Sequence, residues 1–470
     1  MTEPLVVKVA LLTPSLLFLI CLGLLGAAAG RVVLLLKGAL EARRQRANGT
    51  DDSWATLLRS DLVPAVAVIA APPDASDASC RFVRRLLNLH AGNSEMVLVL
   101  DGPSDAAMEV WKREFHLQPT SRLVNPRLVN AGLVNPGLAT KPVKALYVSS
   151  ESIPLVVVEK EPGGRADCLN AGVNVANAPV IATVDADAQF VEESLLRLLR
   201  PMLADPQQTV AVCAVAPGAS EPGWAARFYR LGFLRTWLGR CAGLAAWNAF
   251  LPAPGCFTML SRDAVLRAGG FQAGPLEMAI HLHALARAAH QPYRIVFISE
   301  PMSRPSAPRQ YGAVREAVAR DQMEVGAALH FHKGLVPGSG SLGWLAIPGL
   351  LASRLLLPLI ETASLLLGAA AMAAGWIAPA TFALLVAAPL AAETLVSMTA
   401  VLLEQLASGA NAEPRQVATL FFSSIAESLG YRQWKNLWMV RDLLRGYRAA
   451  ALGTNNAGTS IAGTNNAGAK

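Results

Sequence analysis

Two aspartates one residue apart follow an apolar run near the middle of the chain. Asp185 and Asp187 close the segment PVIATVDAD, and Asp101 directly follows a second apolar run in VLVLDG. In an open α/β sheet, ligands bind beyond the carboxyl ends of the strands. Carboxylates at neighbouring strand ends repel one another unless a cation or a hydrogen-bond donor faces them, and a metal-bound diphosphate supplies that cation. The alternative is a solvated turn, because aspartate is common after strands.

Short apolar runs that alternate with amphipathic runs would position these residues. Between about residues 55 and 335, the clearest predicted strands are 65–71, 96–100, 153–160 and 179–187, with helical spacing at 80–90 and 106–115. This alternation predicts an α/β domain with a largely parallel sheet. The repeats LVNPRLVNAGLVNPG from Leu123 and GTNNAG at Gly453 and Gly463 predict an expanded loop and a flexible tail.

The composition excludes a wholly soluble protein. Hydrophobic residues make up 53% of the chain and charged residues only 16%. Residues 10–30 carry no charge and match the roughly 20 residues that cross a bilayer. Two further spans, 355–374 and 377–403, are separated by Gly375-Trp376 and predict a membrane hairpin. The shorter apolar stretch 417–429 precedes a basic segment and predicts an interfacial or re-entrant helix, with a fourth crossing as the open alternative.

Basic residues cluster beside these apolar spans. Five of them lie between residues 31 and 46, whereas only Lys8 precedes the first span, so we expect residues 50–335 and the tail after Arg432 to be cytoplasmic. The net charge of +7 therefore favours anionic lipid headgroups as a partner rather than nucleic acid. Six scattered cysteines, without a C-x-x-C motif or a histidine at ligand spacing, argue against a disulfide framework or a zinc site.

The segment GGRADCLNAG, residues 163–172, lies ahead of the aspartate pair. The order is two glycines, a basic residue, a Leu-Asn at a predicted helix start and then an apolar strand that ends in Asp-x-Asp. This order and spacing resemble the pattern of the membrane-embedded family 2 glycosyltransferases. That family contains the cellulose, chitin and hyaluronan synthases. The segments PGCFTMLSRDAVLRAGGF (254–271), YRIVFISEP (293–301) and ESLGYRQWKNLW (427–438) extend the resemblance over nearly the whole chain.

The resemblance implies a GT-A (Rossmann-like) α/β domain over residues 49–335 with α-helical transmembrane segments around it. It implies sugar transfer, with inversion, from a nucleotide-sugar donor, most simply a UDP-sugar, to a glycan or lipid acceptor. In such a site Asp101 would contact the nucleotide base, and Asp185 and Asp187 would hold Mg or Mn on the diphosphate. The further donor-binding residues that it implies are Asp74, Arg165, Asp167, Asn170 and Arg320.

The remaining segments follow from the apolar pattern. We expect a transmembrane helix with a basic flank at 1–48, a transmembrane hairpin at 336–407, interfacial or re-entrant helices at 408–450 and a flexible tail at 451–470. Together they predict a multi-pass protein of a bacterial-type inner or plasma membrane with its α/β domain in the cytoplasm. Glu361 and Glu393 lie inside the late spans, where a paired helix contact and a glycan channel are both open interpretations.

The acceptor side departs from the family pattern. Met278 and Ala279 stand where the family has its general base, which leaves Glu277 as the nearest carboxylate, and no tryptophan accompanies Arg320 where the family has Gln-x-x-Arg-Trp. His281 and His283 are predicted to be structural. Two hypotheses follow: a glycosyltransferase that uses Glu277 as its base, or a catalytically inactive pseudo-glycosyltransferase that serves as a structural or regulatory subunit beside a membrane partner.

Overall fold

The computed structural model describes residues 3–48, 63–89, 94–120, 137–150, 154–185, 188–191, 194–218, 222–300, 303–305, 308, 310–334, 340–408 and 414–452. Three features of the sequence analysis lie outside these ranges: Asp187 and the two repeats that begin at Leu123 and Gly453.

Within the described residues, nine strands form one sheet and two short strands form a second. The strands are β1 Val66–Ala70, β2 Ser94–Asp101, β3 Leu117–Pro119, β4 Val143–Ser149, β5 Leu155–Lys160, β6 Val180–Thr183, β7 Ala188–Phe190, β8 Thr209–Ala214, β9 Phe257–Ser261, β10 Arg294–Ile298 and β11 Ser303–Pro305. The large sheet has the order β10-β8-β9-β6-β1-β2-β5-β4-β3, and β7 pairs with β11. The predicted α/β class is confirmed, as are the four predicted strands.

The large sheet is mixed, which corrects the prediction of a largely parallel sheet. Its central strands β6, β1, β2 and β5 are parallel. β9 runs antiparallel between β6 and β8, and β4 and β3 add an antiparallel edge. The apolar pattern shows that a strand is buried but carries no information on its direction, so the insertion of β9 could not be read from it.

Helices cover both faces of the sheet and continue into the apolar segments. They are α1 Glu3–Asn48, α2 Asp77–Leu87, α3 Asp105–Glu114, α4 Arg165–Val175, α5 Ser194–Ala204, α6 Trp224–Thr236, α7 Arg262–Arg267, α8 Pro275–Ala288, α9 Tyr311–Phe331, α10 Ile347–Leu351, α11 Leu357–Ala373, α12 Pro379–Ser408, α13 Pro414–Ala426 and α14 Arg432–Ala451. π-helical turns lie at Trp237–Gly243, Leu342–Ala346, Ala352–Leu356 and Glu427–Tyr431.

Successive residues of β1 face two separate hydrophobic cores, as the period of a strand requires. Val66 and Val68 pack with residues of α2, α3 and α5, whereas Ala67 and Ile69 share a core with residues of α4, α6 and the long apolar helices α1 and α12. The result is a three-layer arrangement in which the sheet is buried on both sides. Helices packed on both faces of the sheet therefore fix the positions of the loops at its carboxyl edge.

Among the residues that the structure describes, three helices are long and apolar enough to cross a membrane: Leu12–Arg46, Leu342–Ala373 and Pro379–Ala407. The last two are separated by residues 374–378, in agreement with the predicted break at Gly375-Trp376. Glu393 is paired with Arg31 and Arg432, and Glu361 with Arg432 and Asn436. These contacts favour the interpretation of both carboxylates as buried helix contacts, because a buried charge is tolerated when it is paired.

Helices α9 and α14 approach each other closely at two glycines. A Cβ atom on Gly326 would overlap the carbonyl oxygen of Leu443, and one on Gly446 would overlap the carbonyl oxygen of Met323. Both overlaps involve backbone atoms, which no rotamer change can move aside. The two helices can therefore keep their present separation only with glycine at these positions.

We predict that Gly326→Ala and Gly446→Ala each lower the free energy of unfolding by about 1–3 kcal/mol, because the helices must move apart. Gly312→Ala is the matched control: it lies in the same helix with nothing within 4 Å of its Cβ position. It should be neutral or stabilising by up to about 1 kcal/mol through helix propensity. Thermal unfolding in detergent measures all three, and equal melting of Gly326→Ala and Gly312→Ala would contradict the close contact.

Candidate functional site

The predicted site residues gather at the carboxyl edge of the parallel strands. Asp101 ends β2 and Lys160 ends β5, and the two residues are direct partners in the parallel register. Asp185 follows the end of β6, on the other side of β1. Since adjacent strands are about 4.8 Å apart, the ends of β2 and β6 are separated by about 10 Å rather than being neighbours. The site therefore has two halves, one at Asp101 and one at Asp185.

The first half is organised by Lys160, which the sequence analysis did not identify. Its side chain is completely buried, with the Nζ atom 3.0 Å from Asp101 Oδ1 and in contact with Asp167. Burial alone would lower the pKa of Lys160, but the hydrogen bonds to Asp167 and Asp101 outweigh it and raise the pKa. The signal that was missed is a lysine at the end of the buried run LVVVEK, opposite Asp101.

Asp101 also fixes the two glycines that precede α4. Its Oδ1 atom accepts a hydrogen bond from the backbone N–H of Gly163 at 2.8 Å, and its Oδ2 atom accepts one from Gly164 at 2.9 Å. Gly164 has a φ of +84°, and a Cβ on Gly163 would overlap the carboxylate of Asp167. Gly164 is therefore required because its backbone conformation disfavours other residues, and Gly163 is required because a side chain would not fit beside Asp167.

The ionisation of Asp101 follows from these contacts. Burial opposes the charged form, but the donors at Gly163, Lys160 and Gly164 lower the pKa of Asp101 below its ordinary value. Asp167, in the first turn of α4, accepts a hydrogen bond from the backbone N–H of Lys141 at 2.8 Å. The buried ion cluster therefore holds the start of α4 at the edge of the sheet.

The second half of the site is centred on Asp185. Its Oδ2 atom accepts a hydrogen bond from the backbone N–H of Gly255 at 2.8 Å, and its Oδ1 atom contacts the guanidinium of Arg165. Another nitrogen of Arg165 lies 4.0 Å from Glu324 Oε2. Arg165 is thus placed between two carboxylates, and 42% of its side chain is exposed. Its position on the first residue of α4 depends on the Asp101 cluster.

Glu324, on α9, is a second residue that the sequence analysis missed. Its Oε1 atom accepts a hydrogen bond from the backbone N–H of Leu276 at 3.0 Å, while 21% of the side chain remains exposed. Burial raises the pKa of Glu324, and the nearby Arg165 only partly opposes that shift. Glu324 lies one helical turn after Arg320, in the segment that corresponds to the family's Gln-x-x-Arg-Trp, a motif that contains no carboxylate.

Glu277 does not occupy the position that a general base requires. It is completely buried, and its Oε2 atom accepts hydrogen bonds from the backbone N–H groups of Gln272 and Ala273. Burial opposes ionisation, but contacts with His281, His332 and Gln272 lower the pKa of Glu277 to about 2. A carboxylate that is enclosed and already supplied with donors cannot reach an acceptor hydroxyl from this position.

Of the three other predicted donor-binding residues, Asp74 and Asn170 make contacts away from the two halves described above. Asp74 accepts hydrogen bonds from the hydroxyl groups of Ser76 and Ser79 at the start of α2. Asn170 exchanges two hydrogen bonds with the backbone of Phe271 and is buried. Arg320 is exposed on α9. Their donor-binding roles remain predictions, as does the metal-binding role of Asp187.

The family model described as glycosyl transferase family 2 matches residues 142–266. This range includes Arg165, Asp167, Asn170 and Asp185, so both halves of the site contain residues of the matched segment. The middle of the chain is therefore similar to the glycosyl transferase family 2 model over about a quarter of its length. The narrower likeness to cellulose and chitin synthases remains a resemblance of sequence motifs.

Among solved structures, the chain is similar to the mannosyltransferase PcManGT from Pyrobaculum calidifontis in complex with GDP-Man and Mn²⁺. The identity is 17%, the TM-score is 0.45, and the match covers 93% of this chain and 98% of that one. It is also similar to glucosyl-3-phosphoglycerate synthase from Mycobacterium tuberculosis in complex with Mn²⁺, UDP and phosphoglyceric acid, with 14% identity, a TM-score of 0.33, and coverage of 61% of this chain and 84% of that one. No curated protein sequence matches the chain.

We predict that Lys160→Met lowers the free energy of unfolding by about 3–5 kcal/mol, because it leaves two carboxylates at a buried position without their cation. Since the pKa of Asp101 is lowered in the folded state, the stabilisation by this pair is complete above the ordinary pKa near 4 and is lost at lower pH. The stability difference between wild type and variant should therefore be largest near neutral pH and shrink in acid.

Lys112→Met provides the matched control for this measurement. Lys112 pairs with Glu109 on the surface of α3, with 71% of the Glu109 side chain exposed. Surface pairs of this kind contribute little, so the control should unfold like the wild type. Chemical denaturation followed by circular dichroism at pH 7 and pH 3.5 is the measurement, and equal destabilisation by the two substitutions would contradict the assigned role of Lys160.

Proposed function

We propose that the protein is a membrane-associated glycosyltransferase that binds a nucleotide sugar and transfers the sugar to a glycan or lipid acceptor in cell-surface glycan synthesis. The observation that carries this proposal is the arrangement of Arg165 between Asp185 and Glu324, beside the fixed Gly163-Gly164 turn. Arg165 would bind a diphosphate, Asp185 would bind a metal ion, and Glu324 would accept a proton. All three lie at the edge of the sheet where such ligands bind.

The donor side fits a divalent cation. Carboxylate oxygens are the ligands that Mg and Mn prefer, and Asp185 presents one oxygen toward the exposed guanidinium of Arg165. The position is therefore already suited to positive charge. On donor binding, Arg165 would turn to a diphosphate oxygen, while Asp185 and Asp187 hold the metal. Such a metal supplies charge neutralisation of the diphosphate leaving group. The resemblance makes a UDP-sugar the donor that we test first.

Glu324 replaces Glu277 as the general base in this proposal. Transfer requires a group that accepts the proton of the acceptor hydroxyl, and Glu324 has exposed surface on the Arg165 side of the site. A carboxyl group with a raised pKa is also the stronger proton acceptor of the two. The base would then come from α9, which corresponds to the family's Gln-x-x-Arg-Trp segment, and not from the start of α8, where Glu277 lies.

A second candidate function is favoured by the acceptor side. Glu277 is enclosed, and the segment 310–334 contains no tryptophan for stacking on an acceptor sugar. On this reading the protein is a catalytically inactive subunit that binds a nucleotide sugar and assembles with a membrane partner. The two candidates share the donor half of the site and differ only in whether Glu324 serves as a base.

The membrane setting of the proposal rests on the three long apolar helices. The excess of basic residues after the first of them supports a cytoplasmic α/β domain beside a bacterial-type inner or plasma membrane. Nucleotide sugars are cytoplasmic donors on this proposal, and the acceptor would approach along the membrane surface. The basic residues near the spans would contact anionic lipid headgroups.

We predict that the purified protein binds UDP in a Mg- or Mn-dependent manner, and that Asp185→Ala or Asp187→Ala weakens binding at least about tenfold, which corresponds to about 1.4 kcal/mol. Asp263→Ala is the control, because Asp263 is an exposed carboxylate paired with Arg267 on α7. Isothermal titration calorimetry with UDP and GDP, with and without metal, is the measurement. Binding that is independent of metal and unchanged in both site variants would reject the donor site.

We predict that Glu324→Gln lowers sugar transfer by at least about 10²-fold while the donor Kd stays unchanged, because the substitution keeps the shape and removes the base. Burial raises the pKa of Glu324, and a base is lost when it is protonated. As the pH is lowered, the wild-type rate should therefore begin to fall while the pH is still above the ordinary carboxyl pKa of about 4.3. Glu316→Gln, an exposed position on the same helix, is the control.

The same assay separates the two candidate functions. Release of nucleotide by the wild type, lost in Glu324→Gln but kept in Glu316→Gln, supports the enzyme. Metal-dependent donor binding without nucleotide release, in the presence of membrane extracts as a source of acceptor and partner, supports the binding subunit. Full activity of Glu324→Gln would remove Glu324 from the base role.

A further inference from the structure

A cluster of one carboxylate and two imidazoles lies between the start of α8 and the end of α9. Glu277 is in the first turn of α8, His281 follows one turn later, and His332 directly follows α9. Glu277 Oε1 lies 3.6 Å from Nδ1 of His281 and 3.2 Å from Nε2 of His332. One possible ligand atom from each residue lies within 4.8 Å of the other two. The two residues on α8 share a face of the helix because they are four positions apart.

The two separations from Glu277 match those of ligands around a tetrahedral transition metal, and the two imidazole nitrogens lie within 4.8 Å of each other. Ligand atoms held at the usual 2.0–2.1 Å from zinc are about 3.4 Å apart along each edge of the tetrahedron. The two measured separations lie on either side of this value. Only small side-chain shifts would therefore be needed for all three atoms to contact one ion, and a fourth position would remain for water.

The burial of the cluster points to a ligand rather than to a solvated surface. Glu277 has no exposed side-chain surface, and His332 has 9% exposed. Nδ1 of His281 is buried, and it makes no hydrogen bond within the part of the chain that the structure describes. Buried polar atoms are almost always satisfied, and this nitrogen faces Glu277 Oε1 at 3.6 Å, just beyond hydrogen-bond distance. A metal ion would use this lone pair.

The donor set selects the class of metal. Two imidazoles and one carboxylate favour zinc and its first-row neighbours, whereas Mg and Ca prefer oxygen ligands. The other oxygen of Glu277 accepts two backbone N–H groups, which fixes the orientation of the carboxylate as outer partners do in known metal sites. We propose that Glu277, His281 and His332 form a site for a single zinc-class divalent metal.

The site would join two helices beside the donor-binding residues. His332 lies at the end of α9, and Glu277 lies next to Leu276, whose backbone N–H donates to Glu324 of the same α9. A metal here would fix the distance between α8 and α9 and thereby the position of Glu324. The inference does not depend on the proposed function, because metal binding by these three residues can be measured without any donor or acceptor.

The sequence alone argued against a zinc site, since no histidine stands at ligand spacing from a cysteine. The site was missed because His332 is far along the chain from His281, and only the packing of α9 against α8 brings them together. A hydrogen-bonded Glu-His pair without metal is the rival explanation. It predicts no stoichiometric metal and no tetrahedral spectrum, so the two explanations are separable by experiment.

The test uses the full chain, purified in detergent without a polyhistidine tag or chelator. We expect about one zinc per chain by elemental analysis. After removal of the metal and reloading with Co²⁺, we expect the strong visible absorbance of tetrahedral cobalt. His281→Asn and His332→Asn should each retain less than roughly a tenth of the zinc. The matched control is His290→Asn, which changes an exposed histidine outside the cluster. This variant should keep its full zinc content.

Two further measurements keep the result clear if a cluster variant fails to fold. The Asp185→Ala variant should retain the tetrahedral cobalt spectrum, which separates this site from the proposed donor metal site. Zinc should also raise the melting temperature of the metal-free wild type but not of His332→Asn. A wild type that holds no metal, shows no tetrahedral band and melts at the same temperature with and without zinc would overturn the proposal.

Discussion

One buried ammonium group holds together the half of the site at Asp101. Lys160 Nζ stands between Asp101 and Asp167 with no exposure to water. Charges in such a position are tolerated only because they compensate one another, and each is costly alone. Asp101, held by this contact, accepts the backbone N–H groups of Gly163 and Gly164, and these fix the first residue of α4. The position of Arg165 opposite Asp185 therefore follows from an ion pair at the neighbouring strand.

The same rule of compensated charge connects the sheet domain to the apolar helices. On α9, Asp321 pairs with Arg240 of the turn after α6 and with Arg354 of the long apolar helix. Glu324 lies one turn further along α9 and faces Arg165. The close glycine contact presses α9 against α14, which in turn pairs with Glu361 and Glu393 through Arg432. The helix that carries Glu324 is thus positioned by its contacts with the long apolar helices and with α14.

The sequence predicted the features that depend on local pattern. Strand ends, apolar spans and the Gly-Gly turn were readable because each leaves a signal within about ten residues. Lys160 was missed because a lysine after an apolar run looks like a solvated strand end unless its register with Asp101 is known. Glu324 and His332 were missed because their partners come from α4 and α8, far away in sequence. The direction of β9 was unreadable for the same reason.

The contrast between Glu277 and Glu324 shows how neighbours decide what a carboxylate can do. Glu277 lies at the start of α8, and two backbone N–H groups and two imidazoles surround it, so it is held ionised and enclosed. Glu324 accepts the backbone N–H of Leu276, next to Glu277. Within the described residues this is its one backbone donor, and it keeps exposed surface beside Arg165. A group held ionised by many donors suits metal binding, whereas a group whose neutral form is favoured suits proton transfer. Glu277, which lies nearest in sequence to the position of the family's base, is therefore a weaker candidate for the general base than Glu324. In the proposed site, the acceptor side is formed by α9.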